Sequence, residues 1–340
     1  MWRNLPTDMR KLIEDFPKQI KEAGEALYNQ DSNLHDSTAK EFNPDGVLIL
    51  GMGGSGIGGA FVSSILNKTS PFPILPNPDY SIPGWVSSNT LVVACSNSGN
   101  TEETLEAAIE ARKRNAKIAC VTSGGKLEEF AKEEGWPLVK VPAGFPPRSQ
   151  FGHSLLSLAW TLVRFGIFPT ELYSMLENSH EFTSKNSPNV IKRAEEVVDI
   201  IEGKNIHLYS DTHSSCIVTR WRQQLNENSK LLVNSQAFPE LNHNELVGWA
   251  AGGESDVVVI LRTPEDNFRT QKRMELTAEI FQEIGSDVIF IDPDGENQME
   301  RIMDLVFLGD YISLLLAERA GVDPVEIDYI NRLKQGLSEI

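Results

Sequence analysis

Two turns rich in glycine and hydroxyl residues, each directly after a short apolar run, constrain this chain most strongly. The first turn covers residues 51–59 and follows the apolar run 46–50, and the second covers 96–104 and follows 91–95. A strand that leads into such a turn and then a helix presents backbone N–H groups at a helix N-terminus, which binds anions. Two such units in one half of the chain predict an α/β fold that holds a phosphorylated ligand from two sides.

Short apolar runs alternate with helical patterns along the whole chain. The runs are rich in Val, Ile and Leu without polar alternation, which is typical of parallel sheets covered on both faces. We therefore predict two αβα sandwiches, each with a mainly parallel sheet of about five strands, in subdomains 1–155 and 156–340. The predicted strands are 46–51, 72–75, 90–95, 117–122, 138–141, 205–210, 231–235, 256–261 and 287–292. The predicted helices lie near 7–29, 57–67, 101–114, 126–134, 149–165, 170–183, 189–202, 213–229, 265–284, 296–318 and 324–338.

Charge and composition exclude several classes of partner. The net charge of −17 over 340 residues argues against nucleic acid or an anionic membrane, because both require a basic surface. Residues 1–6 lack the apolar stretch of a signal peptide, and the segment 305–317 is interrupted by Asp310 and too short to cross a bilayer. The three cysteines, Cys95, Cys120 and Cys216, are widely spaced, and no Cys-x-x-Cys or His-x-x-x-His pattern predicts a metal site. We expect a cytoplasmic protein without a bound metal.

The first turn matches a dinucleotide-binding fingerprint, Gly51-x-Gly53-x-x-Gly56, between a predicted strand and a predicted helix. Asp79 stands 23 residues after Gly56, close to the position where an acidic residue for a ribose hydroxyl is expected. The motif therefore leaves an NAD-dependent oxidoreductase open. A tight strand-to-helix turn without any cofactor is the plainer alternative.

The second turn favours a single phosphate over a nucleotide. Asn100 is the predicted helix N-cap, with Glu103 as its capping-box partner. Capping alone accounts for one or two of the hydroxyl residues, whereas hydroxyls and exposed N–H groups together can surround one terminal phosphate. The four hydroxyl residues are Ser96, Ser98, Thr101 and Thr104.

Five segments in order carry a resemblance to a known family. Besides the two turns they are residues 146–152 around Arg148, residues 224–230 (Gln-Leu-Asn-Glu-Asn-Ser-Lys) and residues 239–245 (Pro-Glu-Leu-Asn-His-Asn-Glu), followed by Leu333-Lys334 near the end. The two turns resemble the sugar isomerase domain. The whole set, over nearly the full chain, resembles the bifunctional phosphoglucose/phosphomannose isomerase family, a two-domain branch of the phosphoglucose isomerase superfamily.

The resemblance implies a metal-independent isomerase of carbohydrate metabolism that needs no cofactor. Its hexose 6-phosphate substrates would be glucose 6-phosphate, and mannose 6-phosphate as well, interconverted with fructose 6-phosphate through a cis-enediol in glycolysis and gluconeogenesis. In the superfamily the ring-opening histidine comes from the neighbouring subunit, which implies a homodimer with shared active sites. A non-catalytic sugar-phosphate-binding regulatory protein remains a second reading, although no basic helix-turn-helix segment accompanies the isomerase pattern.

The resemblance also implies the site residues. Glu227 would transfer the proton, His243 would open the sugar ring with help from Lys334, and Arg148 would stabilise the enediolate. Glutamates on both sides of His243 are rival bases or could orient its imidazole ring. The rivals are Glu240 and Glu245. The implied substrate-binding residues are Gly53, Gly54 and Ser55 at the sugar end and Ser96, Ser98 and Thr101 at the phosphate.

Overall fold

The computed structural model describes residues 8–30 and 42–339. They form two compact units. The first unit consists of residues 14–30, 42–185 and 295–303, and the second of residues 8–13, 186–294 and 304–339. Residues 1–6, where no signal peptide is expected, and the predicted first residue of the opening helix, Thr7, lie outside the described residues.

The sheet of the first unit has five parallel strands in the order β2-β1-β3-β4-β5. β1 and β3 lie in the interior of the sheet, and every residue in both strands is buried. Strands buried on both faces cannot alternate apolar and polar residues, so the continuous apolar runs identified them. The strands are β1 (Gly46–Leu50), β2 (Ile74–Asn77), β3 (Thr90–Ser96), β4 (Lys117–Thr122) and β5 (Leu138–Lys140).

The sheet of the second unit has four parallel strands in the order β7-β6-β8-β9. Four parallel strands agree with the prediction of a mainly parallel sheet of about five strands. After β9 the described chain continues only as helices, because its apolar residues recur at helical spacing. The strands are β6 (Asn205–Asp211), β7 (Asn234–Phe238), β8 (Asp256–Leu261) and β9 (Asp287–Ile291). Two parallel α/β sheets confirm the predicted fold class.

The helices follow the predicted pattern with differences at their ends. The third begins at Gly53 rather than at residue 57, because the glycine turn itself forms its first turn. The patterns at 170–183 and 189–202 form one helix with Pro188 inside it. The helices are α1 (Met9–Glu14), α2 (Phe16–Gln30), α3 (Gly53–Leu66), α4 (Glu102–Lys113), α5 (Gly125–Glu134), α6 (Phe151–Arg164), α7 (Thr170–Ile201), α8 (Ser215–Ser229), α9 (Glu245–Gly248), α10 (Phe268–Glu283), α11 (Gln298–Ala320) and α12 (Asp328–Leu337).

The sheet topology of the first unit brings its two turns to one edge. β1 and β3 are neighbouring parallel strands, so their carboxyl ends lie side by side, where open α/β sheets bind ligands. Across the described ranges 8–30 and 42–339, no helix combines the length and the apolar character that crossing a bilayer requires.

Candidate functional site

Close backbone packing shapes the first turn. The N–H groups of Ser55 and Gly56 both donate to the carbonyl of Met52 at 3.0 Å, which starts α3. A Cβ atom on Gly54 would lie 2.8 Å from the backbone nitrogen of Arg148. A side chain at this position would therefore push the turn away from the segment that carries the arginine.

Hydrogen bonds join the two turns to the segment 146–152. The Oγ atom of Ser55 accepts the backbone N–H of Asn97 at 3.0 Å. The side-chain amide of Asn97 donates to Oε1 of buried Gln150 at 3.4 Å. The structure therefore brings together three of the segments that the sequence singled out, all within the first unit.

Two of the four hydroxyl groups of the second turn contact each other. The hydroxyl oxygens of Ser96 and Thr101 lie 2.8 Å apart, and Ser96 Oγ also accepts the N–H of Gly99 at 3.1 Å. Gly99 has a φ of +67°, and a Cβ atom there would lie 1.7 Å from the carbonyl oxygen of Gly124. Only glycine fits this position, because it allows the turn to pack against the turn before α5. The fourth hydroxyl residue, Thr104, is buried, and its Oγ1 has no partner within the part of the chain that the structure describes.

The N-terminus of α4 is capped differently from the prediction. The cap residue is Thr101, whose side chain makes no capping hydrogen bond. The predicted cap, Asn100, was wrong, because its Oδ1 accepts the N–H of Lys126 at 3.1 Å and so ties the turn to α5. The predicted capping box with Glu103 therefore does not form. Since the first N–H groups of a helix have no acceptor within the helix, this end of α4 offers donors to an anion.

Arg148 lies in a 3-10 turn, Pro147–Ser149, beside the glycine turn, and its side chain is buried. The turn is fixed from outside, because Nε2 of Gln19 on α2 donates to the carbonyl of Ser149 at 2.7 Å. A guanidinium group stays protonated even when it is buried. This part of the first unit therefore holds a fixed positive charge in a strongly acidic chain.

Glu227 is half-buried and lies two residues before the end of α8 in the second unit. Polar contacts between buried groups attach this helix to α11. Nδ2 of Asn228, the residue after Glu227, donates to Oγ of Ser313 at 2.9 Å. Two turns earlier, the Arg220 guanidinium contacts the Asp310 carboxylate at 2.5 Å, with both side chains buried. The backbone that carries Glu227 is therefore attached to α11 at two points along α8.

His243 is exposed and ends a 3-10 turn, Glu240–His243, that follows β7. Its two rival bases are already engaged in local hydrogen bonds. Glu240 Oε1 accepts the Asn244 amide at 2.8 Å, and Glu245 accepts the Tyr209 hydroxyl and a second side-chain amide. Lys334 is exposed on α12. Glu227, His243 and Lys334 thus all belong to the second unit, and their catalytic roles stay predictions.

A carboxylate fills the loop of the second sheet that corresponds to the hydroxyl turn. This loop follows β8, which neighbours β6 as β3 neighbours β1. Asp266 accepts the N–H of Thr263 at 2.8 Å, the Thr263 hydroxyl at 2.7 Å and the Ser214 hydroxyl at 3.4 Å. Burial raises the pKa of Asp266 to about 6. The hydrogen-bond donors that could bind a phosphate in this loop are already bonded to the Asp266 carboxylate.

Asp79, the acidic residue of the dinucleotide fingerprint, is engaged within its own turn. Its carboxylate accepts the N–H of Ser81 at 3.4 Å and the Ser81 hydroxyl at 3.1 Å.

Burial raises the pKa of the Cys95 thiol to about 12, which makes this thiol a poor nucleophile. Within residues 8–30 and 42–339, no group of three or more His, Cys, Asp or Glu side chains is arranged to hold a metal ion.

Both halves of the chain match models of known protein families. Residues 42–133 match the SIS domain, and residues 191–337 match the bacterial phospho-glucose isomerase C-terminal SIS domain. A bifunctional phosphoglucose/phosphomannose isomerase from Caldicellulosiruptor bescii is 34% identical over 98% of this chain and 99% of its own length. One of the same name from Aquifex aeolicus is 35% identical over 95% of this chain and 99% of its own.

Solved structures show the same architecture at low identity. The C-terminal domain of glucosamine-fructose-6-phosphate aminotransferase from Francisella tularensis superposes with a TM-score of 0.76 at 16% identity, covering 94% of this chain and 98% of that domain. Glucosamine-6-phosphate deaminase from Thermotoga maritima gives a TM-score of 0.66 at 17% identity, covering 93% and 96%. At such identities these structures support the fold only.

Proposed function

Because this chain belongs to the bifunctional phosphoglucose/phosphomannose isomerase family, we propose that it interconverts glucose 6-phosphate and mannose 6-phosphate with fructose 6-phosphate. The observation that carries the proposal is the contact between the Ser96 and Thr101 hydroxyls at the N-terminus of α4. The hydrogen bond between Ser55 and Asn97 joins this turn to the glycine turn. Two helix N-termini at neighbouring strand ends suit a dianionic phosphate better than any neutral group.

The phosphate binds through the hydroxyls of Ser96, Ser98 and Thr101 and the first N–H groups of α4. The residues Gly53, Gly54 and Ser55 line the sugar end. These donors anchor one end of the substrate, so the binding energy of a group that does not react positions the carbons that do.

The reaction moves one proton between C2 and C1. In the aldose-to-ketose direction Glu227 takes the proton from C2, and the C1 carbonyl oxygen takes up a proton as the cis-enediol forms. Glu227 then delivers its proton to C1 while the C2 hydroxyl loses its proton and becomes the carbonyl, so that in sum one proton moves from C2 to C1 and one from O2 to O1. His243 and Lys334 act as acid and base in ring opening, and Arg148 stabilises negative charge on the enediolate oxygens. Glucose 6-phosphate and mannose 6-phosphate differ only at C2 and give the same enediol. One base serves both when the substrate rotates about its C2–C3 bond.

The function is tested by a coupled assay for fructose 6-phosphate with EDTA present, using glucose 6-phosphate, mannose 6-phosphate and unphosphorylated glucose. We expect turnover of both phosphate esters only. Thr101→Val removes one hydroxyl at nearly constant shape. A hydrogen bond to a charged group contributes about 1.5–3 kcal/mol, so kcat/KM should fall by about 10- to 100-fold.

The matched control is Thr69→Val, because among the described residues the Thr69 hydroxyl donates to the neighbouring carbonyl of Leu66 alone, at 3.2 Å. A wild-type protein that binds glucose 6-phosphate without turnover would favour the regulatory alternative. Quenching of tryptophan fluorescence by NADH would favour the oxidoreductase.

An exposed apolar face on α12 supports a homodimer with shared active sites. None of the ten residues of this helix is buried. Tyr329, Leu333 and Leu337 recur every four residues, with side chains 88%, 64% and 46% exposed, and Ile330 extends the same face. Water-exposed apolar faces of this kind are covered by another protein surface. We assign the covering of this face to a second copy of the chain.

We further propose that the enzyme is cytoplasmic and acts in glycolysis and gluconeogenesis. Its two subdomains would be residues 1–155 and 156–340.

Leu333→Asp is expected to convert the dimer into a monomer, because the substitution puts a charge into the apolar face. Light scattering after size exclusion should then give a mass near 37.8 kDa, that of one chain, instead of twice that value. Ile200→Asp is the control, since Ile200 is also an exposed apolar residue, 42% exposed, on a different helix, α7. A wild-type protein that runs as a monomer contradicts the homodimer.

A further inference from the structure

Lys230 has an unusual backbone conformation directly after the helix that carries Glu227. Its φ is +60°, in the left-handed region, and its N–H caps α8 by donating to the carbonyl of Leu225. Glycine is the favoured residue at such a helix end, because any Cβ atom is strained there. A lysine at this position keeps the strain, which points to a use for its side chain.

The side chain of Lys230 joins two elements of the second unit. Its Nζ atom donates to the carbonyl of Glu227 at 2.6 Å and to the carbonyl of Glu326 at 2.7 Å. The first carbonyl belongs to the last turn of α8, where carbonyls lack N–H partners within the helix. Glu326 lies two residues before α12, and its carboxylate accepts the N–H of Asp328, the first residue of that helix. The lysine therefore connects the turn of Glu227 to the start of the helix that carries Lys334.

We propose that Lys230 is a positioning residue that fixes the Glu227 turn of α8 relative to the start of α12. This role rests on the proposed functions of Glu227 and Lys334. Lys230 contacts neither substrate nor reacting atoms in this scheme. It acts by holding α8, which carries Glu227, and α12, which carries Lys334, in a fixed relative position. A displacement of about 1 Å can lower a catalytic rate by about 100-fold.

Lys230→Gly separates positioning from plain helix capping. Glycine relieves the left-handed strain and keeps the backbone cap, but it removes the contacts of Nζ. The variant should therefore unfold at the wild-type temperature or above it. We expect its kcat for glucose 6-phosphate to fall by about 10- to 100-fold, with KM and the affinity for glucitol 6-phosphate, which cannot isomerise, within about two-fold. Lys230→Arg, which keeps the donors, should recover most of the kcat.

Lys192→Met is the control for loss of a lysine side chain. Methionine is used because glycine at this position would destabilise the interior of α7. Lys192 is an exposed helix lysine paired with Glu196 at 3.5 Å, and its loss should leave kcat unchanged. Hydrogen exchange of residues 326–334 gives a readout without activity, and it should accelerate in Lys230→Gly but not in Lys192→Met.

Full kcat in Lys230→Gly, or unchanged hydrogen exchange at 326–334, would overturn the positioning role. A loss of kcat that follows a lower unfolding temperature would also reject it in favour of capping. Failure of the proposed function has a different signature, which is a wild-type protein without isomerase activity or an unaffected Glu227→Gln variant. In that case exchange at 326–334 still decides whether Lys230 connects the two elements.

Discussion

Glu227→Gln is expected to lower kcat for glucose 6-phosphate and mannose 6-phosphate by about 10²–10⁴-fold, the usual contribution of a general base. Glutamine matches glutamate in shape and keeps a hydrogen-bonding side chain, but it cannot take a proton from carbon. The first unit contains the proposed phosphate contacts, so binding of glucitol 6-phosphate should stay within about three-fold of wild type. Single-turnover kinetics and isothermal titration measure the two quantities separately.

Variants of three further glutamates provide a control and test the rival bases. Glu196→Gln changes an exposed helix carboxylate whose only described ion pair is with Lys192 at 3.5 Å, and it should leave kcat unchanged. Glu240→Gln and Glu245→Gln test the rival bases next to His243. Because both carboxylates already accept local hydrogen bonds, we expect smaller losses than for Glu227→Gln. A larger loss at either rival would transfer the base role to that residue.

The sequence predicted the edge of the first sheet because its signals are local. A buried parallel strand reads as a continuous apolar run, and a turn that packs backbone against backbone needs glycine, as at Gly54 and Gly99. The predicted cap at Asn100 failed because its partner, the N–H of Lys126, lies 26 residues away in sequence. Local propensity cannot reveal a contact of that range.

Polar residues whose hydrogen-bond partners are distant in sequence had no predicted role. Gln150 and Asn97 join two segments of the candidate site, and Lys230 ends the segment 224–230 without a predicted role of its own. Their side chains resemble ordinary surface residues until the fold brings the partners together. A positive φ at Lys230 is likewise invisible in composition or spacing, since lysine is uncommon in that conformation.

Asp310 is a further residue whose distant partner the sequence does not reveal, and here the contact affects the free energy of unfolding. In the sequence it interrupts the apolar segment 305–317, which helped to exclude a membrane span. In the structure it is buried on α11 against Arg220 of α8, at 2.5 Å. Arg220 lies two helical turns before Glu227 on α8. It therefore contributes to the attachment of the helix that carries the proposed base.

Removing either partner of this pair should cost about 3–5 kcal/mol of unfolding free energy, because the other charge stays buried without its counter-charge. Arg220→Met and Asp310→Val are suitable single variants, because methionine is close to arginine in volume and valine is a branched apolar side chain close in size to aspartate. The double variant removes both charges and should recover most of the loss, to within about 1 kcal/mol of wild type or better. Urea unfolding followed by circular dichroism gives the three values.

Recovery in the double variant separates charge burial from packing. If the two single losses simply add, the side chains contribute independently and the ion pair is not a coupled unit. If they cancel, the fold tolerates an apolar contact here, and kcat of the double variant then reports what the charges contribute beyond stability. A stable double variant with reduced kcat and unchanged KM would mean that the salt bridge fixes the position of α8 more accurately than apolar packing does, and hence the position of Glu227.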